Sequence, residues 1–390
     1  MINYFCGSPM VVGGTENYVV TDDLGMWRAI HDCSMSAGLF EDYVMDGEVR
    51  QARVGLLLSS VDEVLTGAHN GTFAMHNNER KAIYYALRHA QVPVDFLSED
   101  DVIDGLAKDY NVIYITQQWL HSKAVKALGK WVEKGGTLVA LCGGGFKDEF
   151  NRPNPEVNEL YGIKEQEITT DPKLKDYLLD VNMPFLTKQD LPLYVPIDMA
   201  SWTNGKTQVT SAQVVVWKQI LKPSDAQVIG SFKKDAPAVV TKTIGKGRTF
   251  LFGFLPGQAY LKSGLPILPV DRGSTDDSFT HFLPIGMDTN LRQALVEDFL
   301  PTDFIRPVVC SESLVETTCI DTVKPTKRLA VPLMNYTGKK IAKLTVNLAG
   351  LSKVKAVKSI EQGEIKPELK DGVMTVTLPL DITDMLLIDR

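Results

Sequence analysis

Cys142 stands between a short apolar run, Thr137 to Cys142, and three successive glycines, Gly143-Gly144-Gly145. A cysteine at such a junction has the setting of a nucleophile elbow, where a thiolate attacks a carbonyl carbon. That chemistry needs a glycine two residues before the cysteine, to permit the strained turn, and a histidine held by a carboxylate. Position 140 is alanine, and only His281 follows Cys142, without a His-x-Glu pattern. A small buried residue at a strand end is the plainer reading. Cys142 as nucleophile stands as the alternative.

Other candidate chemistry is thinner. Gly143 to Gly145 could turn backbone N–H groups toward an anion, but Phe146-Lys147-Asp148-Glu149 does not continue as a phosphate-binding loop, and no GxGxxG is present. Lys246, between Gly245 and Gly247, reads as a hairpin tip. His69 and His76 lie in a Gly/Asn-rich stretch expected to be a loop over the first strand's end, and His31 stands near Cys33. A zinc site needs three or four convergent ligands, so no metal and no cofactor is expected. The carboxylate pairs Asp22-Asp23, Glu41-Asp42, Asp148-Glu149 and Asp276-Asp277 are adjacent in sequence. A glycosidase pair must instead flank a sugar from separate elements.

Composition narrows the classes further. The chain has 390 residues, 44% hydrophobic and 23% charged, with a net charge of -7. An acidic balance argues against nucleic acid or an anionic membrane surface as partner. No apolar run approaches the ~20 residues of a membrane span. Asn3, Gly7, Ser8 and Pro9 interrupt any secretory h-region. A soluble protein is expected, cytoplasmic, or periplasmic if the chain is cut from a longer precursor. Five cysteines, widely spaced and without a CxxC pair, predict reduced thiols.

The elements that would position these residues follow a clear rhythm. Leu24 to Leu39 has helical apolar spacing and must pack on the next domain or on a missing one. From Arg53, short apolar strands alternate with helices. Strands are expected at Arg53 to Leu58, Pro93 to Leu97, Asn111 to Thr116 and Thr137 to Cys142. Helices are expected at Asn77 to Ala90, Ser98 to Leu106 with a Ser-Glu-Asp-Asp cap, and His121 to Glu133 before Gly135-Gly136. This predicts a flavodoxin-like, mostly parallel sheet with helices on both faces. Lys164 to Thr210 is punctuated by prolines and expected to be irregular with a few edge strands. Gln227 to Phe232, Ala238 to Ile244 and Arg248 to Phe254 are strands, the last two joined at Gly245-Lys246-Gly247, and Asp288 to Leu300 is helical. Beyond Pro301, alternating strands with turn signals predict a small antiparallel β-sandwich. The expected domains are 1–51, a segment with one helix, 52–300, an α/β domain, and 301–390, the sandwich.

The order of these parts resembles the region that follows the catalytic barrel in family-42 β-galactosidases, including their "β-galactosidase trimerisation domain" with a glutamine-amidotransferase-like fold. Gln51-Ala52-Arg53-Val54-Gly55-Leu56-Leu57-Leu58-Ser59-Ser60 is similar to the family's entry into its first strand. Trp131-Val132-Glu133-Lys134-Gly135-Gly136-Thr137-Leu138-Val139 and Gly245-Lys246-Gly247-Arg248 resemble later elements. Val315-Glu316-Thr317, Asn335-Tyr336-Thr337-Gly338, Val357-Lys358-Ser359 and Asp384-Met385-Leu386-Leu387-Ile388 resemble its small β-domain.

In that family the acid/base and nucleophile glutamates lie on a (β/α)8 barrel of about 250 residues. The stretch before Arg53 shows no βα repeats, so no residue here inherits a catalytic role. The resemblance implies a non-catalytic assembly part of a glycoside hydrolase, a homo-oligomer (trimer or dimer) that supplies a wall of a sugar site. Its candidate carbohydrate or subunit contacts are His69, Asn70, His76, Gln117, Gln118, Trp119 and Phe146. The alternatives are an amidotransferase-like hydrolase using Cys142 and a free-standing carbohydrate-binding module.

Overall fold

The structure is a computed structural model and describes residues 24–70, 74–164, 167–170, 196–205, 207–263, 286–322 and 328–390. These form two compact units. One is Gln51–Arg306, and the other joins the described residues up to Arg50 with Pro307–Arg390. Helix α1 (Leu24–Val44) and strand β1 (Gly47–Val49), the first described elements, belong to the second.

The Gln51–Arg306 unit begins as the sequence predicts. Strand β2 (Val54–Leu58) leads into α2 (Ser60–Asn70) and α3 (Ala74–His89), then β3 (Asp95–Ser98), α4 (Glu99–Ile103) and β4 (Val112–Ile115). Helix α5 (Ser122–Glu133), β5 (Thr137–Ala140) and α6 (Pro155–Tyr161) follow. Ser98 caps α4 in a reciprocal box with Asp101, which satisfies backbone donors that a helix start leaves free. The stretch expected to be a loop around His69 and His76 is instead helical over its described residues. Asp62 and Glu63 in the first turn of α2 complement the helix dipole there.

The chain continues through β6 (Thr169–Thr170), β7 (Asp198–Asn204), β8 (Thr207–Val214), β9 (Trp217–Lys218), β10 (Gln227–Phe232), β11 (Pro237–Ile244) and β12 (Gly247–Phe252). It ends in α7 (Pro256–Ser263) and α8 (Thr289–Leu295). Nine of these strands make one sheet in the order β3-β2-β4-β5-β12-β11-β10-β7-β8. The first five are parallel. Numbered by occurrence they run 2-1-3-4-5, the flavodoxin order. From β12 onward every pairing is antiparallel, so the expectation of a mostly parallel sheet holds for one half only. The Gly245-Lys246 hairpin, where Gly245 takes φ +58, sets the first of these pairings, β11 with β12. A two-residue turn returns the chain antiparallel, whereas only a long crossover keeps strands parallel. Strands β7 and β8, at one edge of the sheet, are among the few edge strands expected before Thr210; residues 171–195 lie outside the described set.

Side chains alternate across the parallel half. Val54, Leu56, Val112 and Tyr114 face one core with Ile83 and Leu87 of α3 and Leu291 and Leu295 of α8. Leu57, Ile113 and Ile115 face another with Ala124, Leu128 and Val132 of α5 and Val157 and Leu160 of α6. Helices therefore cover both faces, and each fully buried aliphatic or aromatic side chain contributes ~1.5–3 kcal/mol. The helix expected over Asp288 to Leu300 breaks at Val296 (φ -126, ψ -64) into a tighter turn, Glu297–Phe299. There the Phe299 ring meets Phe250 with centroids 4.7 Å apart.

The terminal unit contains β13 (Val308–Cys310), β14 (Val315–Thr317), β15 (Ile320–Thr322), β16 (Arg328–Asn335), β17 (Ile341–Ala349), β18 (Ala356–Ser359), β19 (Gly363–Glu364), β20 (Glu368–Lys370), β21 (Val373–Leu380) and β22 (Thr383–Asp389). One sheet runs β1-β15-β16-β22-β18-β19 with β14 beside β16, the other β13-β17-β21-β20. Leu329, Val331 and Leu333 of the first share one core with Leu344, Val346 and Leu348 of the second. Helix α1, expected to pack on the following or a missing domain, packs on this β unit. Thr322 Oγ1 donates to the Tyr43 carbonyl, and Arg328 lies 4.5 Å from the Tyr43 ring centroid. Arg50 and Arg390 both pair with Asp321 at 2.9 Å. Among the described residues no helix is long and apolar enough to cross a membrane.

Candidate functional site

In an open parallel sheet the crevice lies beyond the strand carboxyl ends, where the strand order reverses. Here that is the gap between β2 and β4. Ser59 follows β2, Thr116-Gln117-Gln118-Trp119 follows β4, and Cys142 to Gly145 follow β5. The sheet thus brings the segment Gln117-Gln118-Trp119 together with the segment from Cys142 to Phe146.

Their side chains are largely buried and partnered. Gln117 Nε2 donates to the Leu57 carbonyl at 2.5 Å, and its Oε1 accepts from Thr116 N at 3.1 Å, so it ties β4 to β2 across the switch point. Asp62 Oδ1 accepts from the backbone N–H groups of Gln118 and Trp119 at 3.0 and 3.2 Å. Trp119 is 2% exposed, and its indole N–H donates to Asn151 Oδ1 at 2.9 Å. Phe146 is partly buried against the α5 core, with Lys147 Nζ 5.8 Å from its ring centroid. His69 and Asn70 end α2, and His76 lies in the first turn of α3; their side chains lie outside the described ones.

Two more carboxylates hold the same loop. Glu99 Oε1 accepts from His121 N at 2.6 Å. Glu149 accepts from Ser122 N at 2.9 Å and from its hydroxyl at 2.7 Å. Burial opposes the Glu149 charge, but the Ser122 hydrogen bonds and nearby His121 outweigh it and hold the carboxyl below its usual range. The Asp148-Glu149 pair is therefore divided in role. Asp148 Oδ1 organises its own loop through Phe150 N and Arg152 N at 2.9 and 2.7 Å.

Cys142 has no exposed surface. Burial pushes its thiol pKa up, and the neighbouring Glu79 carboxylate adds to this, the opposite of what activates a nucleophile. The N–H groups of the glycine turn are occupied. Gly143 N donates to Gln219 Oε1 at 3.1 Å, Gly144 N to Leu141 O at 2.7 Å and Gly145 N to Gln117 O at 2.9 Å. An oxyanion hole needs such donors free and aimed at a developing charge.

Sequence reasoning missed Glu79. It is fully buried on α3, and its two carboxylate oxygens accept from Gly257 N and Gln258 N at 2.7 and 2.8 Å. Burial outweighs these bonds and raises its pKa to about 8. The signal was present: Glu79 stands four and eight residues before Ile83 and Leu87, on the helix's apolar stripe. Among the described residues no group of three His, Cys, Asp or Glu could hold a metal ion. Most polar groups of the crevice bond to one another, whereas Thr116 Oγ1 is buried without a hydrogen-bond partner among the described residues.

Comparison with known proteins gives the fold. No family model matches, and no curated protein does either. Among solved structures, a catalytic mutant of a GH42 β-galactosidase from G. stearothermophilus superposes over 94% of this chain and 44% of its own, at 17% identity and a TM-score of 0.60. A β-galactosidase from Bacillus circulans sp. alkalophilus matches 94% of this chain and 46% of its own, at 13% identity and a TM-score of 0.62. An α-L-fucosidase isoenzyme 2 from Paenibacillus thiaminolyticus matches 94% of this chain and 53% of its own, at 11% identity and a TM-score of 0.57. This chain has the fold of a part of these proteins, spanning about half of their length.

Proposed function

We propose that this chain is the accessory, non-catalytic portion of a β-galactosidase-like glycoside hydrolase. It assembles with further copies of itself and lends one wall to a carbohydrate pocket. The observation that carries this reading is the coverage: nearly all of this chain is like less than half of the GH42 β-galactosidases. The buried carboxylates Asp62 and Glu99 at the strand ends support it, because both hold backbone N–H groups rather than facing a substrate. The 2-1-3-4-5 order of the parallel strands supports kinship with amidotransferase-like folds. The closed environment of Cys142 favours structural use of that fold over thiol catalysis.

Light scattering and a chromogenic galactoside test the proposal together. The expected result is a dimer or trimer of the 43.1 kDa chain without turnover. A strict monomer, or true turnover by the chain alone, overturns it. Calorimetry against galactosides tests the pocket wall, and absence of heat at millimolar sugar removes that part.

A further inference from the structure

We propose that the groove between α5 and the tight turn Leu106–Asp109 binds a small polyvalent oxyanion, a phosphorylated sugar or nucleotide, on a set of five lysines. The groove has a volume of about 740 Å³ and is lined by Lys108, Lys123, Lys126, Lys130 and Lys134, with no Asp or Glu among its lining residues. That volume is of small-ligand size. Five lysines without a carboxylate among the lining residues are notable on a chain whose net charge is -7.

The lysines of α5 recur at spacings of three and four and so share one helix face. Ala124, Val125, Leu128, Trp131 and Val132 form its buried face. Cations near a helix C-terminus complement its dipole, which accounts for Lys130 and Lys134. It does not account for Lys123, in the first turn where the dipole opposes a cation, nor for Lys108 across the groove. Lys126 pairs with Glu156 at 3.1 Å, both side chains being well exposed, so water or an anion can replace that partner. Like charges at this spacing repel, and an oxyanion seated among them relieves the repulsion.

The floor is apolar and preformed. Ile103, Ala107, Ala127 and Trp131 line it. The Trp131 indole N–H is held by the Tyr110 carbonyl at 3.3 Å. Gly136 lies so close to that ring that a Cβ there would come within 2.3 Å of it. Such a floor receives the carbon body of a ligand, while lysines reach its oxygens as point charges. Asn111 and Gly136 precede β4 and β5, so the groove lies at the amino ends of the strands, away from the crevice. The inference is independent of the accessory reading.

Calorimetry on the full chain at low salt, with tripolyphosphate, fructose 1,6-bisphosphate and metal-free ATP as probes and galactose as the uncharged control, tests it. At least one anion should bind at micromolar to sub-millimolar concentration, any heat from galactose should be unchanged in K123E/K130E, and the tightest of the three anions identifies the ligand's body. Binding should weaken by about tenfold or more in K123E/K130E and at 0.5 M NaCl, since exposed charges are screened there. It should be unchanged in K353E, an exposed lysine of the other unit. Circular dichroism confirms that the variants are folded. Absence of heat from all three anions at 1 mM, binding unaffected by K123E/K130E, or an equal loss in K353E overturns the proposal.

Discussion

Gly257 donates its backbone N–H to Glu79 Oε1 at 2.7 Å, and a Cβ placed on Gly257 would stand 2.9 Å from that same oxygen. The start of α7 and the middle of α3 are thus fitted to each other through a glycine and a fully buried carboxylate. Replacing Gly257 by Ala forces the carboxylate or the helix to move, and Ala82 Cβ at 3.1 Å closes the other side. Gly257→Ala is expected to cost about 1–3 kcal/mol, as overpacking does. Urea unfolding measures it, and an unchanged midpoint would show that the contact yields freely.

Glu79 gives the fold a pH dependence of defined sign. Its folded pKa, about 8, lies above the ordinary value of 4.5. The folded state therefore holds a proton that the unfolded state has lost between these values. The contribution is fully present below pH 4.5 and disappears as pH rises through 8. Glu79→Gln does not titrate, so the stability of wild type relative to E79Q should fall from pH 5 to pH 8. Parallel melting curves over that range would refute this.

Asp62 carries the loop after β4 through two N–H bonds to one oxygen. In Asp62→Asn the charge is lost and one carboxylate oxygen becomes a donor. Hydrogen bonds to charged groups contribute ~1.5–3 kcal/mol each, so D62N should lose about that much in total. Trp119, itself part of this loop, should shift its fluorescence in the folded state. A variant as stable as wild type would mean that the Asp62 bonds are dispensable.

Cys142 should resist alkylation. With no exposed surface and a thiol pKa pushed up by burial, iodoacetamide at pH 8 should modify it only after unfolding. Peptide mass spectrometry of native and denatured samples distinguishes the two states. Rapid native labelling of Cys142 would restore the nucleophile reading.

In the terminal unit, Ser359 Oγ donates to Asp384 Oδ2 at 2.5 Å, a buried contact, and accepts from Gln362 N at 2.8 Å. Ser359→Ala leaves the buried carboxylate short of a donor, at a cost of about 1–3 kcal/mol. Thermal unfolding with Ser359→Thr, which keeps the hydroxyl, as a comparison separates this loss from a general packing effect.

What the sequence determined was local. The apolar runs at Val54, Val112 and Thr137 are strands because continuous β-branched and aliphatic stretches are stable only when buried on both faces. The Ser98 cap, the Gly245 hairpin and the alternating strands beyond Pro301 were legible for similar reasons: each depends on the chemistry of a few neighbouring residues. What only the tertiary structure decided was pairing and burial. Whether Gln117 faces a ligand or the Leu57 carbonyl depends on a strand sixty residues away. The packing of α1 on the last strands and the pairing of β10 with β7 follow from long-range partners. Side-chain chemistry fixes which groups can donate, accept or ionise. Whether they meet water, a substrate or one another is set by contacts between distant segments, which spacing along the chain does not encode.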